Sequence, residues 1–230
     1  RRGLYTKVVG RRILSFEQLS STMDVALKEA LSGTEDGTVV LAGRQTDGRG
    51  RFHRPWVSEP GNLLMSVVMY PSLEELPFIS MAAGLAVARA VHKETGLNPK
   101  IKWPNDVLLG GRKVCGLLVE NALDGVSVRY AIVGIGLNVT LDTDKFPEIA
   151  SLATSLNRET GQEIDISSLL RNILHELDVI YLELKEGRSP VAEWTAFLET
   201  LGRWVEVKWG EEVITGYVEG VDGLGHLLVR

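Results

Sequence analysis

Short apolar runs alternate along this chain with longer stretches of helical period, and that alternation confines the fold to a mixed α and β architecture. "TVVLAG" from Thr38 and "NLLMSVVMY" from Asn62 have the length and the β-branched content of buried strands. "KIKWPNDVLLGGRKVCGLLVEN" holds two further β-rich runs separated by Gly110 and Gly111, a hairpin signal, and "VSVRYAIVGIGLNV" is another strand ending in glycines. "LSSTMDVALKEALSG" opens on Ser and Thr at N-cap positions, carries Val25, Ala26, Leu27, Ala30 and Leu31, and stops at Gly33, which predicts a short helix. "ISMAAGLAVARAVHKETG" is small and apolar around much of its circumference and suits a helix packed tightly on a sheet. From Ser167, the spacing of Leu170, Ile173, Leu174, Leu177, Ile180, Tyr181 and Leu184 predicts an amphipathic helix, and a second covers "SPVAEWTAFLETLG".

At Arg203 the texture changes to three short alternating strands, turning at Gly210 and near Gly223 to Gly225. That is too few strands to close a small barrel, so the tail is expected to continue past Arg230 or to borrow pairing from the main domain. The expected organisation is an α+β domain over residues 1–202, a mixed sheet flanked by helices, with a small and apparently incomplete β-module over residues 203–230.

A chain of 230 residues, 44% of them hydrophobic, can bury one sizeable core. Its net charge of -5 argues against the broad basic surface that nucleic acid or an anionic membrane requires, so any positive site must be local. The single cysteine, Cys115, permits neither a disulfide framework nor a cysteine metal cluster and points to a reducing compartment. With no long apolar run and no signal-peptide pattern after the Arg-Arg start, a cytoplasmic location is expected. The first residue is not methionine, which leaves a processed terminus and an upstream domain open.

Against that acidic background, "GRQTDGRGRFHRPW" (residues 43–56) sets four arginines and a histidine between two predicted strands. Gly43 and Gly48 have P-loop spacing, but Arg49 and Gly50 stand where Lys and a magnesium-holding hydroxyl belong, so a P-loop NTPase is disfavoured. Neither "GIGLNV" nor "GLGHLLV" completes a dinucleotide-binding fingerprint. One Gly-Arg-Gly-Arg without repeats is a poor RNA-binding tract, and a merely solvated loop would not need Gly48 and Gly50 between its arginines, where they let the backbone approach a ligand. Three more segments share this character, although each has an ordinary reading. "KWPNDV" from Lys102 is a turn-former cluster, Lys113 heads an apolar strand three residues before Gly116, and "GIGLNV" ends a strand.

In this order and at these separations the four segments resemble the biotin protein ligase family. Its signature loop, of the form GRGRxxRxW, is followed by KWPND, a lysine before a glycine, and G-x-G-x-N. Here these are Gly48, Arg49, Gly50, Arg51, Arg54 and Trp56; Lys102 to Asp106; Lys113 and Gly116; and Gly134, Gly136 and Asn138. "SSTMD" is similar to the family's Ser-Thr helix start, though Met23 stands where an asparagine is common, and the tail looks like its C-terminal SH3-like module. The resemblance implies the biotin/lipoate ligase type of catalytic domain and an enzyme that makes biotinyl-AMP from biotin and MgATP. Biotin then passes to one lysine of a biotin carboxyl carrier protein. No helix-turn-helix precedes Arg1, so repressor activity is not implied for this chain. The rivals are a lipoate or octanoate ligase and, should an upstream helix-turn-helix exist, a biotin-responsive DNA-binding regulator. Monomer and homodimer both stay open.

Attack of a carboxylate on a phosphate brings two anions together, a repulsion of about 4 kcal/mol per charge pair at roughly 4 Å and an effective dielectric of roughly 20. Arginine stays charged and forks onto such anions. On the resemblance, Arg51 and Lys113 are the catalytic cations at the carboxylate and α-phosphate, Arg49 serves the phosphates and biotin tail, and Arg54 serves the outer phosphates or loop closure. Asp106 would place magnesium, with a structural salt bridge as the alternative. Trp56 would stack on adenine, with core packing as the alternative, and Asn138 would hold the nucleotide edge. Ser21, Thr22 and Gln45 would bond the biotin ureido group, with helix capping the alternative for the first two. Gly116 and Gly136 would leave room for the flat bicycle, and Gly48 and Gly50 would bind biotin by letting the loop backbone approach and close over it. His53, His92, His175 and His226 have no partner spacing for metal or triad chemistry and are expected at the surface.

Overall fold

The computed structural model describes residues 3–210 and 212–230, without the side chains of His53 and Trp209. The Arg-Arg start and the expectation for His53 therefore lie outside the described residues. In chain order the elements are β1 Ile13–Leu19, α1 Thr22–Leu31, β2 Thr38–Gln45, β3 Leu63–Met69, α2 Ile79–Thr95, β4 Lys100–Lys102, β5 Asp106–Leu109, β6 Arg112–Asp124 and β7 Ser127–Leu137. They continue with α3 Leu156–Thr160, α4 Ile166–Lys185, α5 Val191–Phe197, β8 Trp204–Trp209, β9 Glu212–Val221 and β10 Leu227–Val229.

Strands β1 to β7 form one sheet in the order β1-β2-β3-β7-β6-β5-β4, antiparallel except for the β1–β2 pair. Period-2 alternation sends alternate side chains of the central strands to opposite faces. Val67, Val133, Ile135 and Leu117 meet α2 and α4 in the larger core, while Val40, Val68 and Ile132 meet Met23, Ala26 and Ala30 of α1 in the smaller one. Alanines and Gly84 let α2 lie close on the sheet: an added Cβ at Gly84 would already touch Ile101 and Leu117 at 3.5 Å. Helix α2 ends at Gly96, whose φ of +69° supplies the left-handed C-cap. Asp165 caps α4 through Ser167 N at 2.9 Å, and buried Asp178 on α4 accepts the N–H groups of Lys7, Val8 and Val9 at 2.8 Å each, which ties the N-terminal segment to the core.

The predicted strands and the helices α1, α2 and α4 form where expected, and Gly110 and Gly111, both at positive φ, make the β5–β6 hairpin turn. Helix α5 is shorter than its sequence pattern. After Phe197 the chain turns to pair with the edge strand β4, Glu199 N donating to Ile101 O at 2.9 Å, so sheet pairing overrides the helical period. Strand β1 has no sequence signature because it is a half-exposed edge. Strands β8 to β10 form a separate antiparallel sheet, order β10-β9-β8. This sheet meets the rest of the chain where Trp103 Nε1 donates to Gly225 O at 3.1 Å and Gly225 packs beside Met81.

Candidate active site

One cavity of about 580 Å³ opens on the face of the sheet that carries α1, and every residue given a catalytic or binding role from the motifs lines it except Gly48, as Trp103 and Pro104 of the KWPND turn also do not. Three mechanisms bring them there. First, β2 ends at Gln45 and releases the Arg-rich loop, a narrow arm closed by Trp56 N to Gly48 O and Gly50 N to Arg54 O, 2.8 Å each. Gly48 is buried at its base, where a Cβ would sit 2.6 Å from Ser58 Oγ, whereas Gly50 meets nothing nearer than Arg54 O at 3.7 Å. Second, the KWPND turn places Asn105 between β4 and β5 and Asp106 at the start of β5, with Asp106 opposite Gly116 and Gly116 opposite Gly136.

Third, β6 carries a bulge. Lys113 and Gly116 are three residues apart and would face opposite sides of a regular strand. The β5–β6 register shifts by one, Val107 pairing with Cys115 but Leu108 with Lys113, and the extra residue Val114 turns into the core beside Cys115. The bulge thus returns Lys113 to the cavity face. Its Nζ lies 2.7 Å from Asp106 Oδ1, without hydrogen-bond alignment, and 5.2 Å from the centre of the Trp56 ring.

Among the described lining residues five are cationic (Arg49, Arg51, Arg54, Lys102 and Lys113) and one, Asp106, is acidic. Arg51 donates to Asn105 Oδ1 at 3.1 Å, and Asn105 is itself fixed by donation to Leu117 O at 2.6 Å. Arg54 and Lys102 are exposed and have no acidic partner among the described residues. Arg49 departs from expectation. Its guanidinium lines the cavity but is also held by Asp24 Oδ1 at 2.7 Å and Glu120 Oε1 at 3.4 Å, two carboxylates that outweigh it.

The glycines also differ from expectation. A Cβ at Gly136 would lie 2.6 Å from Trp56 Cε2 and Nε1, and one at Gly116 would lie 2.8 Å from Trp56 Cζ3. The room they leave is filled by the Trp56 indole and is not open for a bicycle. The indole N–H is buried without a partner, and so is Asn138 Oδ1; the Asn138 amide is oriented by donation to Thr154 O at 3.1 Å. A lone donor and a lone acceptor left in one cavity are groups that a ligand could satisfy.

A directed chain of hydrogen bonds crosses the cavity end near α1. Ser66 Oγ donates to Thr22 Oγ1 at 2.8 Å, Thr22 to Gln45 Oε1 at 3.0 Å, Gln45 Nε2 to Ser58 Oγ at 3.3 Å, and Ser58 to Trp56 O at 3.2 Å. Thr22 N also donates to Gln45 Oε1, and Ser21 caps α1 by accepting from Met23 N at 3.3 Å. The Thr22 hydroxyl proton is thereby committed to Gln45. The donors left over are the Ser21 hydroxyl and the second Gln45 amide hydrogen. Ser58 and Ser66 carry no sequence signal because isolated serines are common everywhere; Asn105 and Lys102 sit inside a motif already singled out.

Cys115 is buried beneath the site, and burial pushes its thiol well above the usual range, so it is no nucleophile. His92, His175 and His226 are exposed and away from the cavity, and among the described residues no three His, Cys, Asp or Glu side chains converge on a metal position.

The profile of the biotin/lipoate A/B protein ligase family matches residues 15–138, more than half of the chain. The chain belongs to that family. It is 34% identical to the biotin--[acetyl-CoA-carboxylase] ligase of Paracoccus denitrificans over 91% of this chain and 90% of the relative. It is also 34% identical to the bifunctional ligase/repressor BirA of Bacillus spizizenii over 99% of this chain and 72% of that protein. Among solved structures, the Aquifex aeolicus biotin protein ligase in complex with biotin and ATP superposes with a TM-score of 0.81 at 31% identity, covering 95% of this chain and 91% of that one. The α+β class and the membership suggested by the motifs are both borne out.

Proposed function

We infer that this chain is an ATP-dependent biotin protein ligase. It joins the biotin carboxylate to the α-phosphate of ATP with release of pyrophosphate, then passes the acyl group to a lysine of a biotin carboxyl carrier protein. The observation that carries the reading is a cavity whose cations outnumber its one carboxylate, in a chain that is acidic overall. In the first step a carboxylate oxygen bonds to the α-phosphorus and the bond to the β-phosphate bridging oxygen breaks. In the second, the lysine amine attacks the carbonyl carbon and AMP leaves. Arg51 and Lys113 stabilise the charge that develops in both, as fixed cations in a partly dry site do best. Arg54 and Lys102 are assigned to the outer phosphates.

For biotin, the spare donors on Ser21 and Gln45 suit a ureido oxygen, with Thr22 and Ser66 orienting Gln45. Asn138 Oδ1 suits an exocyclic amine on adenine, and Trp56 roofs the space between the two ligands. Magnesium bound with ATP would neutralise phosphate charge. Among the described lining residues Asp106 is the single carboxylate that could hold it, which suits an ion carried mainly by phosphates and water. Residues 203–230 are read as a separate module. No helix among the described residues is long and apolar enough to cross a membrane, and a chain whose single cysteine, Cys115, is buried and needs no disulfide fits a cytoplasmic setting.

The test is ATP–pyrophosphate exchange with biotin, lipoate and octanoate in parallel. Exchange driven by biotin is expected; exchange driven only by the fatty acids overturns the substrate.

A further inference from the structure

Asp24 and Glu120 hold Arg49, yet neither lines the cavity. The hydrogen bonds within residues 48–56 close the arm on itself and not on the body of the protein. Among the described residues, three side chains fasten it outward: Trp56 on Gly116 and Gly136, Arg51 on Asn105, and Arg49 on α1 and β6 together. The first two fasten inside the cavity, where ligands compete for them. Arg49 fastens beside it, to carboxylates on two different elements that do not line the cavity.

We propose that Asp24 and Glu120 are positioning residues that clamp Arg49 and so hold the arm over the cavity, keeping the acyl adenylate enclosed until the acceptor lysine arrives. This rests on the ligase reading above. All three side chains are partly exposed, 25% for Arg49 and 39% for each carboxylate, so each contact is modest and the clamp is reversible. Two such pairs together shift an open–closed equilibrium about tenfold, enough to govern leakage without locking the site.

The full chain is loaded with labelled biotin and ATP, freed of excess ligand, and followed for release of bound adenylate. Asp24→Asn with Glu120→Gln should release it about tenfold faster. Single-turnover adenylate formation should stay within about threefold and the thermal midpoint should fall by no more than about 5 °C. Release from the wild type should quicken with added salt more steeply than release from the double variant. A double variant that retains adenylate as the wild type does overturns the proposal. So does one that loses adenylate formation as severely as Arg51→Ala, since Arg49 would then act on the chemistry. Glu120→Gln alone serves if the double variant folds poorly.

A wild type that makes no adenylate refutes the ligase reading instead, and the clamp is then judged by amide hydrogen exchange. Exchange in residues 48–56 must quicken in the double variant while the rest of the chain is unchanged; unaltered exchange there refutes the clamp on its own.

Discussion

Replacing Gly136 by alanine tests whether the tryptophan seat organises the site. The residue lies in β7 with ordinary strand φ, so alanine adds no backbone strain, and the whole effect comes from one methyl group. That methyl would stand 2.6 Å from Trp56 Cε2 and Nε1 and 2.9 Å from Cζ2. Carbon atoms rest at about 3.5–4.0 Å, so the rigid indole must retreat by about 1 Å, and the arm that carries it must follow. Overpacking of this kind costs about 1–3 kcal/mol of stability, while a displacement of about 1 Å at reacting groups costs about 100-fold in rate.

Gly134→Ala is the control. Its methyl would meet Met23 Sδ at 2.8 Å, the end of a flexible side chain that can swing aside. Pyrophosphate exchange should fall about 100-fold in Gly136→Ala and less than about tenfold in Gly134→Ala, with both variants folded by circular dichroism. Wild-type exchange in Gly136→Ala, or equal losses in the two, would refute the reasoning.

Arg51→Ala and Lys113→Ala should each lower single-turnover adenylate formation by about 100- to 1000-fold, as loss of a fixed charge at a reacting anion does; wild-type rates in both would move the reactive centre elsewhere. Cys115 should resist thiol reagents in the native chain and react only on unfolding, because it is fully buried with its thiol pushed above the ordinary value of 9.0. With a folded-state value above the unfolded one, its contribution to stability is complete below about pH 9 and is lost as the pH rises further. Tyr181, raised by burial and then by Asp36, acts in the same direction, so denaturant midpoints should fall on the alkaline side, and less steeply in Tyr181→Phe.

What was legible in the sequence follows from what local chemistry imprints on residue type. Gly110 and Gly111 announce a turn because few other residues accept positive φ in succession, and the motifs mark the loop, the turn and the strand ends that line the cavity. Partnerships between distant segments left no such trace. Arg49 reads as one more ligand cation until the fold brings Asp24, 25 positions away, and Glu120, 71 positions away, to its guanidinium. The glycines of β6 and β7 signal close approach, but not that the approaching group is Trp56 rather than a ligand. The bulge at Val114 is invisible because an apolar residue is equally at home in a regular strand, and α5 ends early because pairing with β4 competes with its period.

A crystal structure of the chain with biotin and ATP measures the central claim most directly. Density for both ligands is expected in the cavity under residues 48–56, with Arg51 and Lys113 within hydrogen-bonding reach of the carboxylate and α-phosphate, and Arg49 still on Asp24 and Glu120. Ligands bound elsewhere, with that loop facing solvent, would contradict it.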